Sequence, residues 1–168
     1  MDYAPNVDAV VYFVHEIFPL VRLKFPAVKF VIAGQRPLPK VLALAGEHVQ
    51  VTGFIENLAA VYNSASVVVA PLRFGAGTQN KVLEAMAMGV PVVCSNIGFK
   101  GLGIESGHGA FMEIEPQAFA NRVIDLLQDG KLRERTGAKG AAVIHERFSW
   151  DKITAMLEGY FEQLVGIK

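Results

Sequence analysis

VVVAPLRFGAGTQNKVLEAMAMGVPVVCS, residues 67–95, decides the fold. It begins and ends on short apolar runs, Val67–Ala70 and Val90–Cys94, rich in β-branched side chains. Runs of that length without polar alternation suit strands covered on both faces of a parallel sheet. Between them lies the turn Phe74-Gly75-Ala76-Gly77-Thr78, then a run of good helix formers from Gln79 to Met88, closed by Gly89. Strand, glycine turn, helix, strand is a βαβ unit. Its turn leads into a helix N-terminus, where unbonded N–H groups and the positive end of the helix dipole attract an anion. Glycine serves there by reaching positive φ and letting the backbone approach a phosphate closely.

The flanks repeat the alternation. Apolar residues Val10, Val14, Ile17, Val21 and Phe25 step at helical spacing behind Asn6, a candidate cap, with Pro19 expected to kink or split the helix and Pro26 to end it. Strands are expected at Val28–Ala33, Val49–Thr52 and Ala110–Ile114, and short helices at Pro37–Ala45 and Leu58–Asn63. The stretch from Gly98 to Gly109 carries five glycines without periodicity and reads as a mobile loop. Pro116 opens a helix with Phe119, Val123, Leu126 and Leu127, a second helix spans residues 131–147, and Ser149 caps a last one with Ile153, Leu157, Tyr160 and Leu164 on one face. The pattern predicts an α/β fold, a doubly wound, Rossmann-like parallel sheet flanked by helices, in one domain over residues 1–168. Because the order begins with a helix, a first strand is expected to be lacking, its slot empty or filled by another chain. An incomplete sheet of that kind invites self-association. Large apolar groups at the end, Trp150 and Phe161 among them, either pack on this domain or need a partner.

Composition narrows the function. At 52% hydrophobic and 19% charged, the 168 residues can bury a substantial core, which excludes disorder. Sixteen basic residues balance sixteen acidic ones with no basic cluster, so no nucleic-acid partner is expected. The single cysteine, Cys94, forms no internal disulfide and reads as a small core residue. No apolar run reaches membrane-spanning length and no signal peptide is visible, so a cytoplasmic location is expected, with peripheral attachment of a longer protein at the inner face of a membrane left open. His15, His48, His108 and His145 show no metal-ligand spacing.

Gly75-x-Gly77 is not a dinucleotide fingerprint, since Asn80 stands where a third glycine belongs, and the context of Lys81 excludes a P-loop. The informative combination is the glycine turn, Thr78 at the helix start, and Lys81 and Glu84 three apart on one helical face. Such a lysine can meet a phosphate as a point charge, and such a carboxylate can accept hydrogen bonds from a ribose diol. An ordinary surface ion pair between the two is the plainer alternative. Arg73, at the end of its strand, stands where ligands of open α/β sheets bind, or is a solvated loop arginine.

PLRFGAGTQNKVLEAMAMGVPVVCS resembles the donor-binding signature of family-4 glycosyltransferases with the GT-B fold. VIAG, VQVTGF, AAVYNSASVVVAPL and the terminal FSW with its helix follow in the family's order, so the resemblance covers nearly the whole chain. It implies the C-terminal, donor-binding half of a two-domain enzyme that transfers a sugar from a nucleoside-diphosphate sugar with retention, without a metal or other cofactor. The acceptor half would be a missing N-terminal domain of the same protein, and this chain alone would be inactive. By position, Glu84 matches the second acid of an E-x7-E motif that binds the ribose hydroxyls. Gly77, Thr78 and Gln79 match the turn around sugar and diphosphate, with Gly75, Lys81 and Arg73 beside them, and Gly53-Phe54-Ile55 matches the segment against the nucleobase. The first acid of the motif falls on Ala76, and the basic pair usual near the start of this half has no counterpart in Met1–Asn6. The catalytic residues are therefore not assigned. A non-catalytic nucleotide-sugar-binding module, or a relative of nucleotide-sugar epimerases, is the alternative; a flavodoxin-like regulatory domain is disfavoured because no acidic cluster sits at the strand ends.

Overall fold

The computed structural model describes residues 1–166, without the side chains of Trp150, Asp151, Ile153 and Val165. Helix α1 (Ala4–Tyr12) runs through a π-helical segment (Phe13–Ile17) into α2 (Phe18–Lys24), followed by β1 (Phe30–Ala33), α3 (Pro39–Leu42), β2 (Val49–Gly53) and α4 (Leu58–Ser64). The central unit is β3 (Val68–Ala70), α5 (Asn80–Ala87) and β4 (Val92–Cys94); α6 (Asn96–Phe99), β5 (Ala110–Met112), α7 (Pro116–Gln128), α8 (Gly130–Arg147) and α9 (Trp150–Val165) complete the chain.

All strand pairs are parallel. Phe30 lies opposite Val49, Val68 opposite Val92, and Val92 opposite Ala110. Successive residues of β4 point to opposite faces, as a strand requires. Val93 joins a core under α1, α2 and α7 with Ile17, Phe18, Ile32, Phe119 and Leu126, while Val92 and Cys94 join a second with Val82, Met86 and Leu102. Both faces are covered, which is why the run carries no polar alternation. In the first core the Phe13 ring stands 4.6 Å from Phe30 and 6.1 Å from Phe119.

The strands do not form one sheet. β1 pairs only with β2, and β3, β4 and β5 form a separate sheet. Between the facing edges of β1 and β3 lies a cavity of about 780 Å³, lined by Phe30, Val31, Ile32 and Ala33 on one side and by Val67–Ala70 on the other. A continuous doubly wound sheet has room there for one more strand. The break also explains why β1 and β3 are less covered than expected, with Val31 42% exposed.

Several local expectations need correction. The first helix starts at Ala4 behind Tyr3, with Pro5 in its first turn, so Asn6 lies inside the helix and is not its cap. Pro19 does not split the helix, which runs unbroken from Ala4 to Lys24; the turn preceding Pro19 widens to a π-helix instead, which accommodates the missing N–H. The glycine stretch is not a uniform loop, because α6 begins it and Gly98 is buried against Cys94, where an added Cβ would sit 2.8 Å from the Cys94 Cβ. Ser149 occupies the cap position of α9, yet its side chain makes no capping bond. Along α9, Met156, Leu157, Tyr160, Phe161 and Leu164 are 52–83% exposed, so among the described residues this part of the face is left uncovered. The expected contributions of the Trp150 and Ile153 side chains lie outside the described residues.

Helix α8 meets the central unit through glycine. A Cβ on Gly137 would fall 1.9 Å from the carbonyl oxygen of Gly89. Backbone there cannot yield cheaply, so Gly137→Ala should destabilise by about 2 kcal/mol or more. At Gly159 in α9 nothing lies within 4 Å of an added Cβ, and Gly159→Ala should stabilise by about 0.5–1 kcal/mol through helix propensity. Chemical denaturation of the two variants checks the contrast.

Candidate donor-binding site

The glycine turn between β3 and α5 has the backbone that its composition suggests. Gly75 and Gly77 take φ of 143° and 73°, and Gly53 at the end of β2 takes 72°, all strained for any other residue. Gln79 is the buried residue of the turn. Its Nε2 donates to the Gly77 carbonyl at 3.2 Å and more weakly to that of Ala76, while its Oε1 accepts from Lys81 Nζ at 2.9 Å. The side chain thus fixes the turn from inside and ties it to the lysine. Thr78 is exposed, and Phe54 projects 75% exposed beyond β2.

Lys81 and Glu84 share a face of α5, and both line the large cavity together with Thr52, Tyr62 and Leu72. They do not form the plain surface ion pair: Lys81 is held by Gln79, and Glu84 Oε2 accepts from the Tyr62 hydroxyl at 2.9 Å. Burial pushes the Lys81 ammonium below its ordinary pKa, the Glu84 charge opposing the shift. Burial, with the Glu84 carboxylate beside it, raises that of Tyr62. Tyr62 has no signal in the sequence that ties it to this site, since it comes from α4 and reaches Glu84 across twenty-two residues.

Of the expected site residues only Lys81 and Glu84 line this cavity; Gly53, Phe54, Gly75, Gly77, Thr78, Gln79 and Arg73 do not. Arg73 Nε donates to Asp8 at 2.9 Å, a second guanidinium nitrogen bonds the other carboxylate oxygen, and its plane lies 4.7 Å from the Tyr12 ring centre. It lines a separate cavity of about 350 Å³ with Tyr12, His15 and Glu16. The Arg73 bond holds Asp8 below its ordinary value of 3.8. The pair's contribution is therefore fully present above that value and is lost as pH falls through the lowered one. Both groups are partly solvated, so Asp8→Asn should cost at most about 1 kcal/mol at pH 7, and the difference from wild type should shrink in urea titrations as the pH falls through the lowered pKa of Asp8. Cys94 is fully buried and its thiol is pushed up to about 12, as suits a core residue. Among the described residues no three of His, Cys, Asp and Glu gather as a metal site would require, and no helix is long and apolar enough to cross a membrane.

The family model described as glycosyl transferases group 1 matches residues 1–129. The chain belongs to that family. It is 27% identical over 162 residues to the phosphatidyl-myo-inositol mannosyltransferase of Mycobacterium tuberculosis, covering 90% of this chain and 43% of that protein. The Anabaena protein HepE, crystallised with UDP and glucose, superposes with a TM-score of 0.74 at 18% identity, covering 88% of this chain and 44% of that one. The C-terminal domain of LpcC, a group 1 family protein of Francisella tularensis, does so with 0.70 at 20% identity, covering 86% and 81%. This group 1 chain therefore spans less than half the length of the curated mannosyltransferase, and the expected architecture, half of a GT-B fold, is the one its structural neighbours carry.

Proposed function

We propose that this chain is the donor-binding half of a sugar transferase and holds a nucleoside-diphosphate sugar against the Gly75–Glu84 turn. The observation that carries this reading is the placement of Lys81 and Glu84 on one face of α5, with Lys81 tied through Gln79 to a turn whose glycines allow close backbone approach. Glu84 would take the ribose hydroxyls. Lys81 and the N–H groups at the start of α5 would take the diphosphate, and Gly53-Phe54 would lie against the base. A dianion beside Lys81 would restore the charge that burial disfavours. HepE's crystallisation with UDP and glucose, on the same fold, supports a nucleotide-sugar ligand.

In the reaction, the anomeric carbon exchanges its bond to the diphosphate oxygen for one to an acceptor hydroxyl. The bonding pair departs with the diphosphate, which takes up the proton the hydroxyl gives off. The N–H groups of the turn and Lys81 stabilise charge that grows on the leaving group, so they act most strongly in the transition state. From the family resemblance we assign retention of configuration and no metal. We assign the acceptor to a further domain, so the isolated chain binds donor without transferring it. A second reading, a binding module without catalysis, rests on Ala76, which leaves the turn without the carboxylate that would approach the donor sugar.

The test is calorimetric titration with UDP, GDP and ADP and with their sugar conjugates. Saturable binding of one of them is expected. Binding of none would overturn the reading. Binding to a two-domain protein that transfers no sugar to any acceptor would favour the module.

A further inference from the structure

Glu84 carries the proposed ribose contact from an exposed helix face, where a glutamate ordinarily samples many rotamers and is hydrated on both oxygens. Here it is not left to do so. The half-buried Tyr62, projecting from α4, donates its only hydroxyl proton to Oε2 at 2.9 Å. The Lys81 carbonyl, 3.5 Å from the same hydroxyl, is the poorer acceptor, because a charged oxygen at short range wins the proton. Among the described residues the other oxygen, Oε1, accepts no side-chain bond, so one oxygen of the carboxylate is clamped and the other stays free to accept. Burial and the neighbouring carboxylate both keep the phenol protonated, so the clamp persists across the working pH range.

We propose that Tyr62 is a positioning residue for nucleotide binding: its hydroxyl holds Glu84 in the rotamer that presents a free carboxylate oxygen to a ribose diol. The inference rests on the nucleotide-sugar reading above. Its physical content is preorganisation. A side chain already ordered before the ligand arrives spares the ligand the cost of ordering it, which corresponds to roughly three- to tenfold in affinity. A tyrosine that merely joins α4 to α5 would act on every ligand of the site alike. A tyrosine that aims Glu84 acts only on ligands that have hydroxyls for Glu84 to hold.

The experiment exploits that difference. Wild type and Tyr62→Phe are titrated with UDP, GDP and ADP, and with the 2′,3′-dideoxy form of whichever binds. Phe keeps the ring and its packing, and thermal melting confirms that the variant is folded. Tyr62→Phe should weaken the ribonucleotide roughly three- to tenfold and leave the dideoxynucleotide unchanged. Equal weakening of both, or of neither, overturns the positioning role while leaving the nucleotide site standing. If wild type binds the ribo and dideoxy forms equally well, the ribose contact itself is wrong. If it binds no diphosphate, the functional reading falls with it.

Discussion

Glu84→Ala is expected to weaken binding of the preferred nucleoside diphosphate by about 10- to 150-fold, the equivalent of about 1.5–3 kcal/mol for hydrogen bonds to a charged group. The carboxylate is exposed and lies on a helix where alanine is a good residue, so little of this effect should arrive through the fold. What the fold does lose is the partner of the Tyr62 hydroxyl, which is half-buried and still has the Lys81 carbonyl within 3.5 Å as a fallback acceptor. Glu84→Gln should fall between, since an amide oxygen accepts from a diol without the charge. Calorimetry on the three proteins reads the series directly. Wild-type affinity in Glu84→Ala would remove the residue from the site and, with it, the residue-by-residue mapping of the ribose contact. The plain alternative, a surface ion pair with Lys81, is already at odds with the geometry, because both partners are bonded elsewhere.

How much of this was legible beforehand differs by kind of interaction. The βαβ unit was readable because β-branched runs and a glycine turn are local signals, and each strand appears within a few residues of its expected place. An irregularity at Pro19 was readable too, since proline's missing N–H acts on its own turn, although its form, a π-helical turn in an unbroken helix, was not. Short helix α6 escaped because Gly98, Gly101 and Gly103 argue locally for a loop, whereas Gly98 is there so that the chain can pass close to Cys94. At the site, the turn and the Lys81–Glu84 face were legible from helical spacing. The partners that set their electrostatics were not, because they are tertiary. Asp8 captures Arg73 from sixty-five residues away, and Tyr62 captures Glu84 from another helix. An arginine at a strand end looks like an anion ligand until the chain folds a carboxylate onto it. Likewise the apolar face of α9 was visible as a pattern, and only the fold could say that the described residues leave Leu157, Tyr160, Phe161 and Leu164 exposed.

Extending the chain before Met1 with a designed strand of about five Val and Ile residues should stabilise it more than any substitution discussed above. The cavity between the sheets is bounded by two strand edges. Phe30 donates its N–H to His48 and Val68 donates to Pro91, so these residues spend their backbone on β2 and β4. By strand alternation the peptide groups of Val31, Val67 and Val69 face the cavity instead. An open strand edge presents unpaired peptide groups, and a strand between these edges would pair both rows at once. Met1 is placed to lead such a strand in: its amino group bonds the Gln35 carbonyl, its own carbonyl accepts from Leu38, and its side chain packs on Gly34, just past the end of β1. A chain running up to Met1 from within the cavity would therefore lie parallel to β1, with α1 and α2 as the crossover between them. Each buried Val or Ile contributes about 1.5–3 kcal/mol and each new ladder bond about 0.5–1.5, against about 1–2 per residue for ordering the strand. The balance is a gain of a few kcal/mol, which for a chain of this size raises Tm by about 10 °C. The same extension should slow amide exchange at Val31 and Val69. It should also dissociate any dimer that forms through the open edges, a species visible by light scattering in the unextended chain. Unchanged melting together with unchanged exchange would mean that the two sheets meet around the cavity in solution and that neither edge is available.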